Sequence, residues 1–88
     1  MNLKDKTVVV TGGARGIGKA LSQAFSDQGA RVVVADILAE ETSETAAAIS
    51  GLAVTCDVSR EEDIQQLVIA AESAYGPIDL FCSNAGIC

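Results

Sequence analysis

Histidine is absent from these 88 residues, and cysteine occurs only as Cys56, Cys82 and Cys88. Without histidine and without a Cys-x-x-Cys pair, the usual ligand set of a zinc site is missing, and so is the commonest acid/base side chain. The three cysteines read as small buried apolar residues. Basic residues are scarce, six Lys and Arg against twelve Asp and Glu, for a formal net charge of −6. They form no cluster, which leaves nucleic acid and anionic membrane as poor partners. No apolar run approaches the length of a membrane span. The stretch Met1 to Lys6 has neither the apolar core nor the cleavage site of a signal peptide, so a cytoplasmic location is expected. Proline occurs once, as Pro77, and 49% of the residues are apolar. This is the composition of a packed globular chain, and its length suits one domain.

What is present is organised around Val8-Val9-Val10-Thr11-Gly12-Gly13-Ala14-Arg15-Gly16-Ile17-Gly18. A β-branched run without alternation, Thr7 to Thr11, is expected of a strand buried on both faces of a parallel sheet. The glycines fall where the chain must turn and where a charged ligand must approach bare backbone. After them, Ile17, Ala20, Leu21, Ala24 and Phe25 follow the spacing of one helical face. The start of such a helix offers unpaired N–H groups and a positive dipole end, which together hold a phosphate. The corner therefore reads as a dinucleotide site, with a plain strand-to-helix turn as the alternative. Gly13, Gly18 and Lys19 also fit the spacing of a P-loop, but the next residue is Ala20, which has no hydroxyl for Mg²⁺.

The rest of the chain alternates. The first helix is expected from about Ile17 to Gln28, with Gly29 as a left-handed cap. A second strand covers Arg31 to Asp36, and a second helix runs from Glu40 to Ser50, stopped by Gly51. A third strand spans Leu52 to Cys56. Ser59, with Glu62 three residues on, suggests a capping box opening a third helix whose apolar face is Ile64, Leu67, Val68, Ala71 and Tyr75. Gly76-Pro77 ends it, and a fourth strand covers Asp79 to Cys82. The β-α-β-α-β-α-β order implies an α/β fold, a partial Rossmann-type doubly wound parallel sheet with strand order 3-2-1-4. Cys56 and Cys82 would then stand three strands apart, about 14 Å at ~4.8 Å per step, too far for a disulfide.

In such a sheet a ligand lies at the carboxyl ends of the strands. Four groups collect there: Gly12, Arg15, Gly16, Ile17 and Gly18; Asp36; Asp57 with Val58; and Asn84, Ala85 and Gly86. Asp36 lies about 20 residues past the glycines, where an acid accepts hydrogen bonds from adenosine ribose hydroxyls; a helix cap or turn acid is the alternative. For Asp57, before Ser59, a loop-capping role competes, and Asn84 before Ala-Gly also suits an ordinary turn. Asp36 favours NAD, because the 2′-phosphate of NADP would meet it as a like charge. Arg15 pulls the other way, since a guanidinium can pair with that phosphate. NAD is the expected cofactor, with Asp36 at the ribose outweighing an exposed arginine that salt screens.

These residues resemble the short-chain dehydrogenase/reductase family. Thr11-Gly12-Gly13-Ala14-Arg15-Gly16-Ile17-Gly18 is similar to its T-G-x-x-x-G-x-G motif, Asp57 to the acid after its third strand, and Asn84-Ala85-Gly86 to most of its N-N-A-G motif, with Ser83 where the family usually has Asn. The resemblance runs the length of the chain. It implies that the glycines accept the pyrophosphate, that Asp57 holds the adenine amino group, and that Asn-Ala-Gly borders the adenosine and steadies the sheet. It also implies hydride transfer between a nicotinamide cofactor and an alcohol/carbonyl substrate, usually in a homo-oligomer. The family's catalytic Ser, Tyr-x-x-x-Lys and Asn come later in a chain than the Asn-Ala-Gly motif. The one tyrosine here, Tyr75, is followed four residues on by Asp79 and falls on the apolar face of the third helix. Residues 1–88 thus look like the N-terminal cofactor-binding portion of a longer dehydrogenase, with no catalytic residue among them. A free-standing dinucleotide-binding or regulatory module without catalysis is the alternative.

Overall fold

The parallel arrangement expected from the solid Val runs is what the chain adopts in a computed structural model, which describes residues 2–84. Its elements are β1 (Thr7–Thr11), α1 (Gly16–Asp27), β2 (Arg31–Asp36), α2 (Ala39–Ala48), β3 (Leu52–Thr55), α3 (Glu61–Tyr75) and β4 (Leu80–Ser83). The four strands form one parallel sheet in the order β3-β2-β1-β4. Among the described residues, no helix is long and apolar enough to cross a membrane.

Both central strands are shielded on two sides, so their side chains need no polar alternation. Val8, Val10, Val32 and Val34 point to one face, where Ala46 of α2 is buried and Phe25 of α1 packs. Val9, Val33 and Ala35 point to the other, against Leu67 and Ala71 of α3, with Ile64 and Tyr75 packed beside them. Tyr75 is therefore part of the packing, as its spacing predicts. Register sets the strand ends level: Thr11 pairs with Ala35 on one side and Ser83 on the other, and Asp36 pairs with Thr55. The residues that follow leave the sheet along one rim. Ser83, where the resembling family has Asn, pairs in β4 with Thr11, and the ladder is continuous there. Cys56 follows β3 and Cys82 lies in β4, on opposite outer strands.

Four local expectations need correction. The capping box is not formed: α3 starts at Glu61 after Arg60, with no side-chain cap. Ser59 instead donates both its N–H (2.9 Å) and its hydroxyl (2.6 Å) to Asp57 Oδ1. An acid two residues ahead competes for the same groups and wins, because a charged acceptor makes the stronger bond. The buried side of α1 is also rotated from the apolar stripe. Gly18 and Ser22 are buried, whereas Ala20 and Ala24 are exposed and Ile17 is 72% exposed. Close packing of the helix start on the glycine corner admits only small residues, and the Ser22 hydroxyl is satisfied by the Gly18 carbonyl at 2.9 Å. α2 ends at Ala48, short of the expected Ser50, which is left-handed (φ 55°). Gly51 is needed for room, since a Cβ there would stand 2.6 Å from the Val32 carbonyl oxygen. Asp79 precedes β4 rather than beginning it, and pairs with Thr7 through both its N–H and its carboxylate. Gly29 does take the left-handed conformation after α1 (φ 87°), with its N–H on the Ser26 carbonyl.

Candidate functional site at the carboxyl edge of the sheet

The glycine corner is fastened from every direction the protein can reach. Gly13 N–H donates to the Ala35 carbonyl at 3.2 Å, and Ala14 N–H to Asp36 Oδ2 at 3.1 Å. The buried Thr45 of α2 donates its hydroxyl to the Ala14 carbonyl at 3.2 Å. Asn84 Nδ2 donates to the Gly12 carbonyl at 3.2 Å, and Asn84 N–H to the Thr11 hydroxyl, also at 3.2 Å. Asn84 therefore ties β4 to the corner. Ala85 and Gly86 lie outside the described residues.

The corner's glycines differ in what they need. A Cβ on Gly18 would lie 1.9 Å from the Gly12 carbonyl oxygen and 2.7 Å from Asn84 Nδ2, so the helix start can sit on the loop only with a hydrogen there. Gly16 has φ 54°, and nothing stands within 4 Å of the place its Cβ would take. One glycine closes the corner and the other leaves open space before it. Arg15 is extended at the helix N-cap and makes no side-chain cap. With no side-chain cap at Arg15, the first-turn N–H groups at Gly16, Ile17 and Gly18 are donors of the kind an anion takes at a helix start. The donor set and the bare approach fit a dinucleotide's pyrophosphate.

Beside the corner, a cleft of about 110 Å³ is lined by Gly12, Asp36, Ile37, Cys56, Asp57 and Val58. It brings three of the four groups expected from the sequence into one wall. Asp36 Oδ2 is engaged by Ala14 N–H and Oδ1 by Leu38 N–H at 3.2 Å. The turn-acid reading is thus true of it, yet a carboxylate has about four acceptor positions and keeps capacity for hydroxyls. Asp57 likewise serves its own turn through Oδ1, and hydrogen bonding from Ser59 holds its carboxyl below the usual range. Its backbone N–H is fixed by Asp63 Oδ2 at 2.9 Å.

Ile37, Thr45, Asp63 and Glu41 escaped the sequence reading, while Cys56 is buried as expected. Thr45 was within reach: with Thr42 it places two hydroxyls three residues apart on one side of an Ala-rich helix, and buried hydroxyls need partners. Cys56 is 2% exposed, and burial, with Asp63 and Asp57 nearby, pushes its thiol up, so it stays protonated and unreactive at neutral pH. Glu41 receives the Arg15 guanidinium through both Nε and Nη2, the latter at 2.9 Å from Oε1. That bond holds the Glu41 carboxyl below its ordinary value and raises the guanidinium further. Arg15, Gly16, Lys19, Glu41, Glu44 and Thr45 line a second cleft, of about 300 Å³, between the corner and α2.

Known proteins are similar to this chain. The family model for short chain dehydrogenase matches residues 6–88. A short-chain dehydrogenase reductase of Arabidopsis thaliana, ATA1, is 45% identical over 85 residues, covering 97% of this chain and 31% of that protein. An NAD-dependent glycerol dehydrogenase of Listeria innocua is 40% identical over 89 residues, covering 98% of this chain and 35% of that protein. A crystal structure of 3-ketoacyl-(acyl-carrier-protein) reductase from Brucella melitensis, complexed with NADH, superposes with a TM-score of 0.87 at 33% identity. It covers 90% of this chain and 33% of that one. The chain spans about a third of the length of the curated relatives it matches.

Proposed function

The chain belongs to the short-chain dehydrogenase family, and from that premise we propose that residues 1–88 form the NAD-binding portion of an oxidoreductase acting on an alcohol/carbonyl pair. The observation that carries the reading is the pairing of Gly18, closed against Gly12, with Gly16, open to a ligand, beside the carboxylate of Asp36. Backbone N–H groups at Gly16, Ile17 and Gly18 bind the pyrophosphate, with Gly12 turning the strand toward it. Asp36 accepts the ribose 2′- and 3′-hydroxyls. Asp57 and Val58 border the adenine, and Asn84 holds the corner from β4, followed by Ala85 and Gly86 along the adenosine.

NAD is the cofactor in this reading, preferred over NADP. When bound, the cofactor supplies the hydride chemistry; these residues bind and orient it. None of them serves as the acid/base. Tyr75, the last residue of α3, packs against the core, and its carbonyl accepts the Thr7 hydroxyl, so residues 1–88 by themselves turn over no substrate. The full protein works as a homo-oligomer in the cytoplasm. Titration of the full-length protein with NAD⁺ and NADP⁺ tests the reading: NAD⁺ binds at least about tenfold tighter, as one hydrogen bond to a charged acceptor of ~1.5–3 kcal/mol requires. Equal affinities would overturn the role of Asp36, and binding of neither would overturn the dinucleotide site.

A further inference from the structure

Arg15 is the residue that argues for a 2′-phosphate when the sequence is read alone, because a guanidinium fork matches phosphate oxygens. In the folded chain that fork already has an occupant. Both Nε and Nη2 donate to the carboxylate of Glu41, and both residues line the cleft between the corner and α2. Glu41 sits in the first turn of α2, where the helix dipole favours a carboxylate. The turn is also tied to the glycine corner beside Arg15. Thr45, one turn further along α2, is buried and bonded to the carbonyl of Ala14, the residue next to Arg15.

We propose that Glu41 is a specificity-determining positioning residue: it holds the Arg15 guanidinium along α2, withholds it from a 2′-phosphate, and so makes the site select a dinucleotide with a free 2′-hydroxyl. The proposal rests on the dinucleotide reading above. To engage a 2′-phosphate, Arg15 must leave a two-point bond and leave Glu41 unpaired close to a new negative charge. Asp36 adds to the exclusion from the strand side. It also lies within electrostatic reach of Arg15. The side chains of Arg15 and Glu41 are 68% and 38% exposed, so the pair is partly screened. An exposed pair of this kind shifts an equilibrium by about two- to fivefold.

The test is calorimetric titration of NAD⁺ and NADP⁺ into the full-length protein and four variants: Glu41→Gln, Glu41→Asp, Arg15→Ala and the double variant Arg15→Ala/Glu41→Gln. Glu41→Gln tightens NADP⁺ about two- to fivefold and leaves NAD⁺ where it was. Glu41→Asp, which keeps the charge but draws it back by one methylene, falls between. In the Arg15→Ala background, Glu41→Gln brings no comparable gain, because no guanidinium is left to release. An undiminished gain in that background would overturn the proposal, since relief of simple repulsion would then explain it. Equal shifts for both cofactors, or no shift in Glu41→Gln, would overturn it as well. Unmutated protein that binds neither cofactor would sink the dinucleotide reading itself. Normal NAD⁺ binding with an unresponsive Glu41→Gln variant would remove only the role of Glu41.

Discussion

The cleft at the ends of β1, β2 and β3 is about 110 Å³, and its neighbour between the glycine corner and α2 is about 300 Å³. The smaller one is walled by residues that leave a sheet in fixed register, with Gly12 and Asp36 tied to the corner and Cys56 N–H on the Asp36 carbonyl. Half the residues walling the larger one carry long charged side chains, Arg15 at the start of α1 and Lys19, Glu41 and Glu44 on the helices. Size is a poor guide to which of them binds. Donors and acceptors fixed by a buried ladder meet a ligand with little ordering cost, whereas exposed charged side chains must give up the partners they have and are screened by salt. Substitutions around the strand-end cleft and the corner should therefore have large effects, and those in the helix cleft small ones.

The largest effect is expected at the corner both clefts share. Gly18→Ala drives a methyl group into backbone and should destabilise the protein by about 3 kcal/mol, read as a lower denaturant midpoint. Gly16→Ala meets open space and should cost only about 1–2 kcal/mol for its left-handed backbone, while losing more than about tenfold in cofactor affinity, ~1.4 kcal/mol. If the two variants lost stability equally, the distinction between the closing and the opening glycine would be wrong.

Next comes Asp36→Ala, which removes an acceptor from Ala14 N–H and Leu38 N–H as well as from the proposed ribose contact. It should abolish most of the NAD preference and lower stability by about 1–3 kcal/mol. Retention of the full preference in a titration of both cofactors would break the assignment.

A smaller effect is expected at Ser59, whose hydroxyl helps hold Asp57 below the usual carboxylate range. A carboxyl with a depressed folded pKa contributes stability that is present above its unfolded value, about 3.9. That contribution is lost as pH falls through the folded value. Ser59→Ala removes the hydroxyl but keeps the N–H bond, so it brings the two values closer, and acid unfolding followed by circular dichroism should begin at higher pH in the variant. A midpoint that stays put or moves to lower pH would contradict the assigned cause.

Arg15→Ala is expected to do least. With its guanidinium on Glu41, its removal should change NADP⁺ affinity by less than about twofold, within the range of an exposed ion pair. A loss of NAD⁺ affinity as large as that of Asp36→Ala would overturn the contrast between the clefts.

Much of the fold was legible in order and kind because each signal is local. Solid Val runs at Val8–Val10 and Val32–Val34 mark buried parallel strands, and short connections between alternating elements leave few arrangements open. The α3 face was legible for the same reason: Leu67 and Ala71, four residues apart, are both buried. The stripe on α1 does not mark its buried side, because hydrophobicity is only a proxy for burial. At that helix the deciding quantity is how closely its start approaches the Gly12 carbonyl, and small Gly18 and Ser22 meet that demand better than Ile17.

The sequence by itself determined which residues could gather at the strand ends, since chain order and a right-handed crossover bring Gly12, Asp36, Asp57 and Asn84 to one rim whatever the details. Only the tertiary structure decided what each polar group does once there. Asp36 turned out to brace the corner, Asp57 to organise its own turn in place of a capping box, and Arg15 to join Glu41, 26 residues away. Hydrogen bonds and ion pairs depend on distances of a few tenths of an ångström between residues far apart in the chain. Hydrophobic spacing carries no information on that scale, so a charged side chain's partner becomes visible only when the packing of α2 against the glycine corner has set where the two meet.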